Sequence, residues 1–229
     1  MNKKNCNLIK TDLSANIRLI SACPLFFRRV IRVLFLAVLL YGCSNDYSPE
    51  QKVYIAEIES IRKEKNDWMR DNPDSPFNYK GKVAFHELNY FDVDPEFLFK
   101  SKLYEYELKD TITIFGTKGE LRSTVRFGYV KFNYKGTEYK INVYEGRVSE
   151  NEVHYSIWFT DETTNKESYG VGRYINFEKN ADPNFIYDID FNLAYNPYCA
   201  YSPNYSCAIP TKDDNIKLAI NAGEKKFHN

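Results

Sequence analysis

The sequence is short of the residues on which most recognisable chemistry depends. Its 229 residues include three histidines and five cysteines, and none of these falls in a metal-ligand spacing or a His-Glu-x-x-His helix. There is no Gly-x-Ser-x-Gly elbow and no glycine-rich phosphate loop, so the usual signatures of nucleophilic, phosphoryl-transfer and zinc-hydrolase chemistry are missing. No cofactor or metal is expected, and no Asp-x-Asp-x-Asn calcium loop is completed, because Leu193 stands where that loop needs glycine. No run of lysine or arginine marks a nucleic-acid surface. A membrane-crossing helix needs roughly 20 apolar residues, and the apolar core Val33–Leu40 falls well short.

That short core has a different reading. Arg28, Arg29 and Arg32 precede it, and Leu40-Tyr41-Gly42-Cys43 follows it and resembles a bacterial lipobox. Residues 1–42 are therefore expected to be a lipoprotein signal peptide, with Cys43 carrying the palmitate-type lipid and residues 43–48 a tether. A signal-anchor or a buried segment is the alternative. Ser44 after the cysteine resembles the sorting rule for the outer membrane, so the expected address is the periplasmic side of that membrane, with the membrane as partner through Cys43. Residues 1–42 hold seven of the 31 Lys+Arg and one of the 31 Asp+Glu, leaving 24 basic and 30 acidic residues, a net charge of about −6. A mildly acidic surface argues against nucleic acid as partner.

What remains reads as one domain, 49–229. Ser48, Pro49 and Gln51 form a capping-box start, and Tyr54, Ile58, Ile61 and Trp68 make one apolar helix face over 49–69. From 82 to 224 the period changes to two. Strands are predicted over 83–87, 103–108, 111–115, 122–133, 137–144, 153–159, 168–177 and 185–193, joined by short turns at Lys118-Gly119, Lys135-Gly136 and Glu145-Gly146. The fold class is mainly β: an N-terminal amphipathic helix, then a single antiparallel meander closed as a barrel or sandwich. With 19 Tyr and 16 Phe, its core is expected to be aromatic.

The most informative stretch is Asp190-Phe191-Asn192, Ala194-Tyr195-Asn196-Pro197, Cys199-Ala200-Tyr201, Tyr205, Cys207 and Ala222-Gly223-Glu224. With Ser75-Pro76 and Gly172-Arg173-Tyr174 upstream, it resembles the bacterial family known as domain of unknown function 1684, from about Pro49 to Glu224. The chain departs from the family's Cys-Pro-x-Pro-Pro run, reading Cys207-Ala208-Ile209-Pro210-Thr211-Lys212 instead. The resemblance implies no activity.

Chemistry must come from the residues themselves. On the last predicted strand Asp188, Asp190 and Asn192 share one face, and Arg173 is placed to pair with Asp190; Asn196 and Tyr201 lie in the loop beyond. These six are the ligand-binding candidates. Of the cysteines, Cys6 and Cys23 leave with the signal and Cys43 takes the lipid, so Cys199 and Cys207 remain as a disulfide candidate in an envelope compartment. Such a bridge would contribute about 2–3 kcal/mol; free structural thiols or a metal or redox pair are the alternatives. Three roles stay open: a module binding a small molecule or an envelope protein, a hydrolase-like enzyme using Asp188 or Asp190 with Arg173, or a structural envelope component.

Overall fold

The computed structural model describes residues 47–149 and 152–228; the expected signal peptide and Cys43 lie outside them. Helix α1 (Pro49–Asp71) starts on a reciprocal cap. The Ser48 hydroxyl accepts from the Gln51 N–H at 3.2 Å, and Gln51 Oε1 accepts from the Ser48 N–H at 3.0 Å. Asn72, held extended by the following Pro73, ends it.

The other regular structure is almost all sheet. Strands β2 (Tyr104–Phe115), β3 (Leu121–Tyr134), β4 (Thr137–Ser149), β5 (Glu152–Asp161) and β6 (Arg173–Phe177) lie side by side in chain order, each antiparallel to the next. Two further strands, β1 (Leu98–Ser101) and β7 (Tyr187–Asp190), form a separate antiparallel ribbon. A last short strand, β8 (Asn215–Ile216), runs parallel to β5 at Thr160 and Asp161, beyond the point where β4 stops pairing with it. The β3–β4 hairpin has a legible local cause. Lys135 and Gly136 have φ of 49° and 85°, the two left-handed residues that a two-residue turn requires.

The meander is as expected, and its closure is not. Among the described residues β2 and β6 do not pair, so the sheet is a curled, open half-barrel rather than a closed barrel or sandwich. The edge of β6 is satisfied otherwise: Tyr174 and Tyr195 exchange two main-chain hydrogen bonds of 2.9 Å. The concave face is filled by the ribbon, with Phe99 ring-to-ring on Phe132 at 4.5 Å and Phe191 on Phe159 at 5.3 Å. The core is thus aromatic, in keeping with the composition.

Several boundaries differ from expectation for identifiable reasons. The predicted strand at 83–87 is irregular chain, and 103–108 with 111–115 is one strand, β2, bulged between Glu105 and Asp110. Glu145-Gly146 is no turn: Glu145 pairs with Val125 on one side and Tyr155 on the other, and the two ladders carry β4 through it. Ser168–Gly172 is loop before β6, and 191–193 is a single 3-10 turn after β7.

Candidate functional site

The C-terminal segment Ile220–Glu224 returns through the molecule and is held from two sides. On the sheet side Arg173, at the start of β6, donates to the carbonyls of Ala222, Ile220 (2.9 Å) and Glu224 (3.3 Å) and pairs with Asp161 Oδ2 at 2.8 Å. Asp161 also accepts from the Ile220 N–H at 3.0 Å. On the helix side the Glu224 carboxylate accepts from Lys65 Nζ at 2.6 Å, from the Asn196 N–H at 2.9 Å and from the Tyr201 hydroxyl. Gly223 is what lets the segment pass. At φ 76° a Cβ there would lie 2.6 Å from the carbonyl oxygens of Phe191 and Ala194.

Between this segment and α1 runs a cleft of about 610 Å³. One wall is a stripe of the helix: Ile61, Arg62, Lys65 and Trp68, at helical spacing. The opposite wall is the end of β7 and the chain just beyond it, with Asp190, Asn192, Leu193 and Tyr195. Ile61, Trp68 and Leu193 are 40%, 38% and 39% exposed and line this one groove. The apolar face expected on the helix is therefore split: Ile58 is buried, while Ile61 and Trp68 look into the cleft.

Asp190 sits at the end of β7 as the cap of the turn Phe191–Leu193. Its carboxylate accepts from the Asn192 N–H at 2.9 Å and from the Tyr54 hydroxyl at 2.8 Å. Burial raises its pKa above the ordinary carboxylate value, against the lowering effect of those hydrogen bonds and of Arg62. Burial likewise pushes the Tyr54 hydroxyl well up, so it stays a donor. Asn192 ties three segments together, donating to Tyr54 Oη at 2.9 Å and the Asp94 carbonyl at 2.8 Å and accepting from the Asp94 N–H at 2.9 Å. Arg62 spans the cleft floor, donating to the carbonyls of Phe91 (2.8 Å) and Asn192 (3.0 Å), with its guanidinium 4.6 Å from the Tyr90 ring centre. Lys65 Nζ, beside Glu224, also lies 4.7 Å from the Tyr195 ring centre.

Of the six binding candidates, Asp188, Asp190 and Asn192 line the cleft and Arg173, Asn196 and Tyr201 do not. Arg173 does not meet Asp190: it is 1% exposed and bound to Asp161, a partner that sequence spacing did not suggest. Asp188 is on the wet edge, 58% exposed and paired with Lys100 at 2.6 Å. The three do share a side, as alternation predicts, but they differ in depth: Asp188 is exposed inside β7, whereas Asp190 ends the strand and caps the turn that buries Asn192. Asn196 and Tyr201 are buried props of Glu224. The expected disulfide is not formed: Cys199 and Cys207 are both thiols, with the Cys199 N–H donating to Cys207 Sγ at 3.2 Å. Sequence reasoning missed Arg62, Lys65 and Glu224. The available signals were two cations set among Ile61 and Trp68 on the apolar face of α1, and the place of Glu224 at the end of the Ala222-Gly223-Glu224 stretch.

Comparisons agree with this anatomy. Residues 83–225 match the family described as protein of unknown function (DUF1684). The chain belongs to that family. DUF1684 thus covers the sheet, the ribbon and the Ile220–Glu224 segment, while α1 precedes the matched residues. Among solved structures, the chain is similar to the solution NMR structure of the uncharacterized protein from gene locus rrnAC0354 of Haloarcula marismortui. The identity is 25% and the TM-score 0.57, over 77% of this chain and 96% of that one. No curated protein matches the DUF1684 chain. Among the described residues no three His, Cys, Asp or Glu side chains gather as a metal site, and no helix is long and apolar enough to cross a membrane.

Proposed function

We propose that this DUF1684 protein is a lipid-anchored component of the bacterial cell envelope that binds a small ligand with an apolar body and a hydrogen-donating end. The anchor rests on the lipobox-like Leu40–Cys43 and the outer-membrane address on Ser44. The binding reading rests on one observation: three exposed large apolar side chains, Ile61, Trp68 and Leu193, converge on a single cleft that also contains Asp190. Scattered exposed apolar residues need no explanation, but a contiguous set rimmed by polar groups marks a binding surface. Asp190 has accepted only two hydrogen bonds and retains lone pairs for a ligand donor. The hydrolase alternative through Asp188, Asp190 and Arg173 draws no support from this arrangement, since the three have separate partners.

Native mass spectrometry of the protein extracted from membranes, compared with its denatured mass, tests the ligand. A co-purifying species lost in Asp190→Asn and in Trp68→Ala supports the reading. A clean apo mass, with no stabilisation by small-molecule libraries, moves the protein to a structural envelope role. Labelling with a palmitate analogue, abolished by Cys43→Ala, tests the anchor.

A further inference from the structure

Cys199 and Cys207 stand apart from the cleft and from the Arg173 pair, and their eight-residue separation matches no Cys-x-x-Cys motif. The fold nevertheless assembles a thiol pair from three loops. Cys199 lies in the 3-10 turn Tyr198–Ala200, just after Pro197. Cys207 is laddered onto the β2–β3 turn: the Thr117 N–H donates to the Cys207 carbonyl at 3.0 Å, and the Cys207 N–H donates to Thr117 Oγ1 at 3.1 Å. Tyr169, from the loop before β6, points its hydroxyl at Cys199, 3.3 Å from the carbonyl oxygen and 3.8 Å from Sγ.

The two sulfurs are not equivalent. Cys199 is partly exposed and Cys207 is buried, at 9%. The neighbouring Cys207, together with the Tyr169 hydroxyl 3.8 Å from the Cys199 sulfur, holds the Cys199 pKa down at about 6 despite burial. The same contact, together with burial, pushes Cys207 up. A partly exposed outer sulfur with the Tyr169 hydroxyl aimed at it and a buried inner sulfur beside it are the two parts that stepwise disulfide exchange needs.

We propose that Cys199 and Cys207 form a thiol–disulfide exchange site, Cys199 attacking and Cys207 resolving, whose substrate is a low-molecular-weight disulfide. The Cys199 thiolate attacks one sulfur of R–S–S–R. That S–S bond breaks, RS⁻ leaves and takes a proton from water, and Cys199 carries the mixed disulfide. Cys207 then releases its proton and attacks Cys199 Sγ, expelling the second RS⁻, which is protonated in turn. Two electrons and two protons pass from the dithiol to the substrate, giving the Cys199–Cys207 disulfide and two RSH. The site rests on different residues from the cleft, so it stands or falls separately from ligand binding there.

The test uses the full chain with Cys6, Cys23 and Cys43 changed to Ser, reduced, freed of reductant and exposed to oxidised glutathione, with intact mass followed over time. With both cysteines present, the expected end point is loss of two hydrogens with no lasting adduct. Cys207→Ser should accumulate one glutathionyl adduct at pH 7 at least about tenfold faster than Cys199→Ser. Equal rates in the two variants, or a persistent adduct when both cysteines are present, overturn the proposal. Should either variant unfold, brief iodoacetamide labelling of the folded two-cysteine chain reads the same order. Cys199 should be alkylated at least about tenfold ahead of Cys207, and equal labelling, or labelling only in denaturant, is the contrary result.

Discussion

Two buried ion pairs grip the Ile220–Glu224 segment from opposite sides, and they have different surroundings. Arg173 and Asp161 are sealed, with side chains 1% and 0% exposed, and their hydrogen bonds go to each other, to the segment's main chain and to the hydroxyls of Thr163 and Thr164. Lys65 and Glu224 meet across the cleft, the Glu224 side chain 1% exposed but the Lys65 side chain 26%. A charge pair with no water beside it can only hold the fold, because moving either partner strands the other in a low-dielectric interior. A pair with one member at a cleft wall can hold the segment and also meet a ligand. Burial of the carboxylate alone does not distinguish the two; the access of its partner does.

The largest effect is expected at the sealed pair. Arg173→Met should cost about 3–5 kcal/mol, because it leaves Asp161 buried and three carbonyls without their donor; urea unfolding at pH 7 measures it. A loss under about 1 kcal/mol would mean that the two sides do not differ in kind. Glu224→Gln comes next, at about 1.5–3 kcal/mol, since the amide leaves Lys65 without its counter-charge and disturbs the Tyr201 and Asn196 contacts.

Asp190→Asn should leave stability within about 1 kcal/mol at pH 7 while removing ligand retention in native mass spectrometry. Its pH dependence has a definite sign. Burial raises the Asp190 pKa in the folded state, so its contribution to stability is complete below the ordinary carboxylate value and is lost as pH rises through the raised one. The stability of the wild type relative to Asp190→Asn should therefore fall as pH is raised from about 3 towards neutrality, read from urea midpoints. A difference constant with pH would put Asp190 in ordinary surroundings. Smallest of all is Asp188→Ala, only two residues away. Its exposed pair with Lys100 should contribute under about 0.5 kcal/mol and vanish in high salt.

Asp188 and Asp190 also mark the limit of what alternation can tell. It reads both onto one face, and both do line the one cleft, but it carries no information on depth. Asp188, inside β7, is left on the wet edge with Lys100, while Asp190, at the end of the strand, is drawn under Tyr54. The antiparallel partner of β7 is β1, a four-residue strand far earlier in the chain and too short for periodicity to announce. The disulfide expectation met a different limit: the fold does bring the two cysteines together, yet both are thiols, Cys207 Sγ accepting from the Cys199 N–H and Cys199 Sγ from the Tyr169 hydroxyl.

The elements legible in the sequence are those whose causes are local. The Ser48–Gln51 cap, the Lys135-Gly136 turn and the period-two runs of β3 to β5 each need only neighbours within a few positions, and the fold contains all of them. Which distant polar partners meet is a matter of tertiary structure. Lys65 finds Glu224 across 159 positions, Tyr54 finds Asp190 across 136, and Arg173 chooses Asp161 over Asp190. Those choices depend on which side chains lose water together when the open half-barrel packs against its ribbon and C-terminal segment, and no spacing along the chain encodes that.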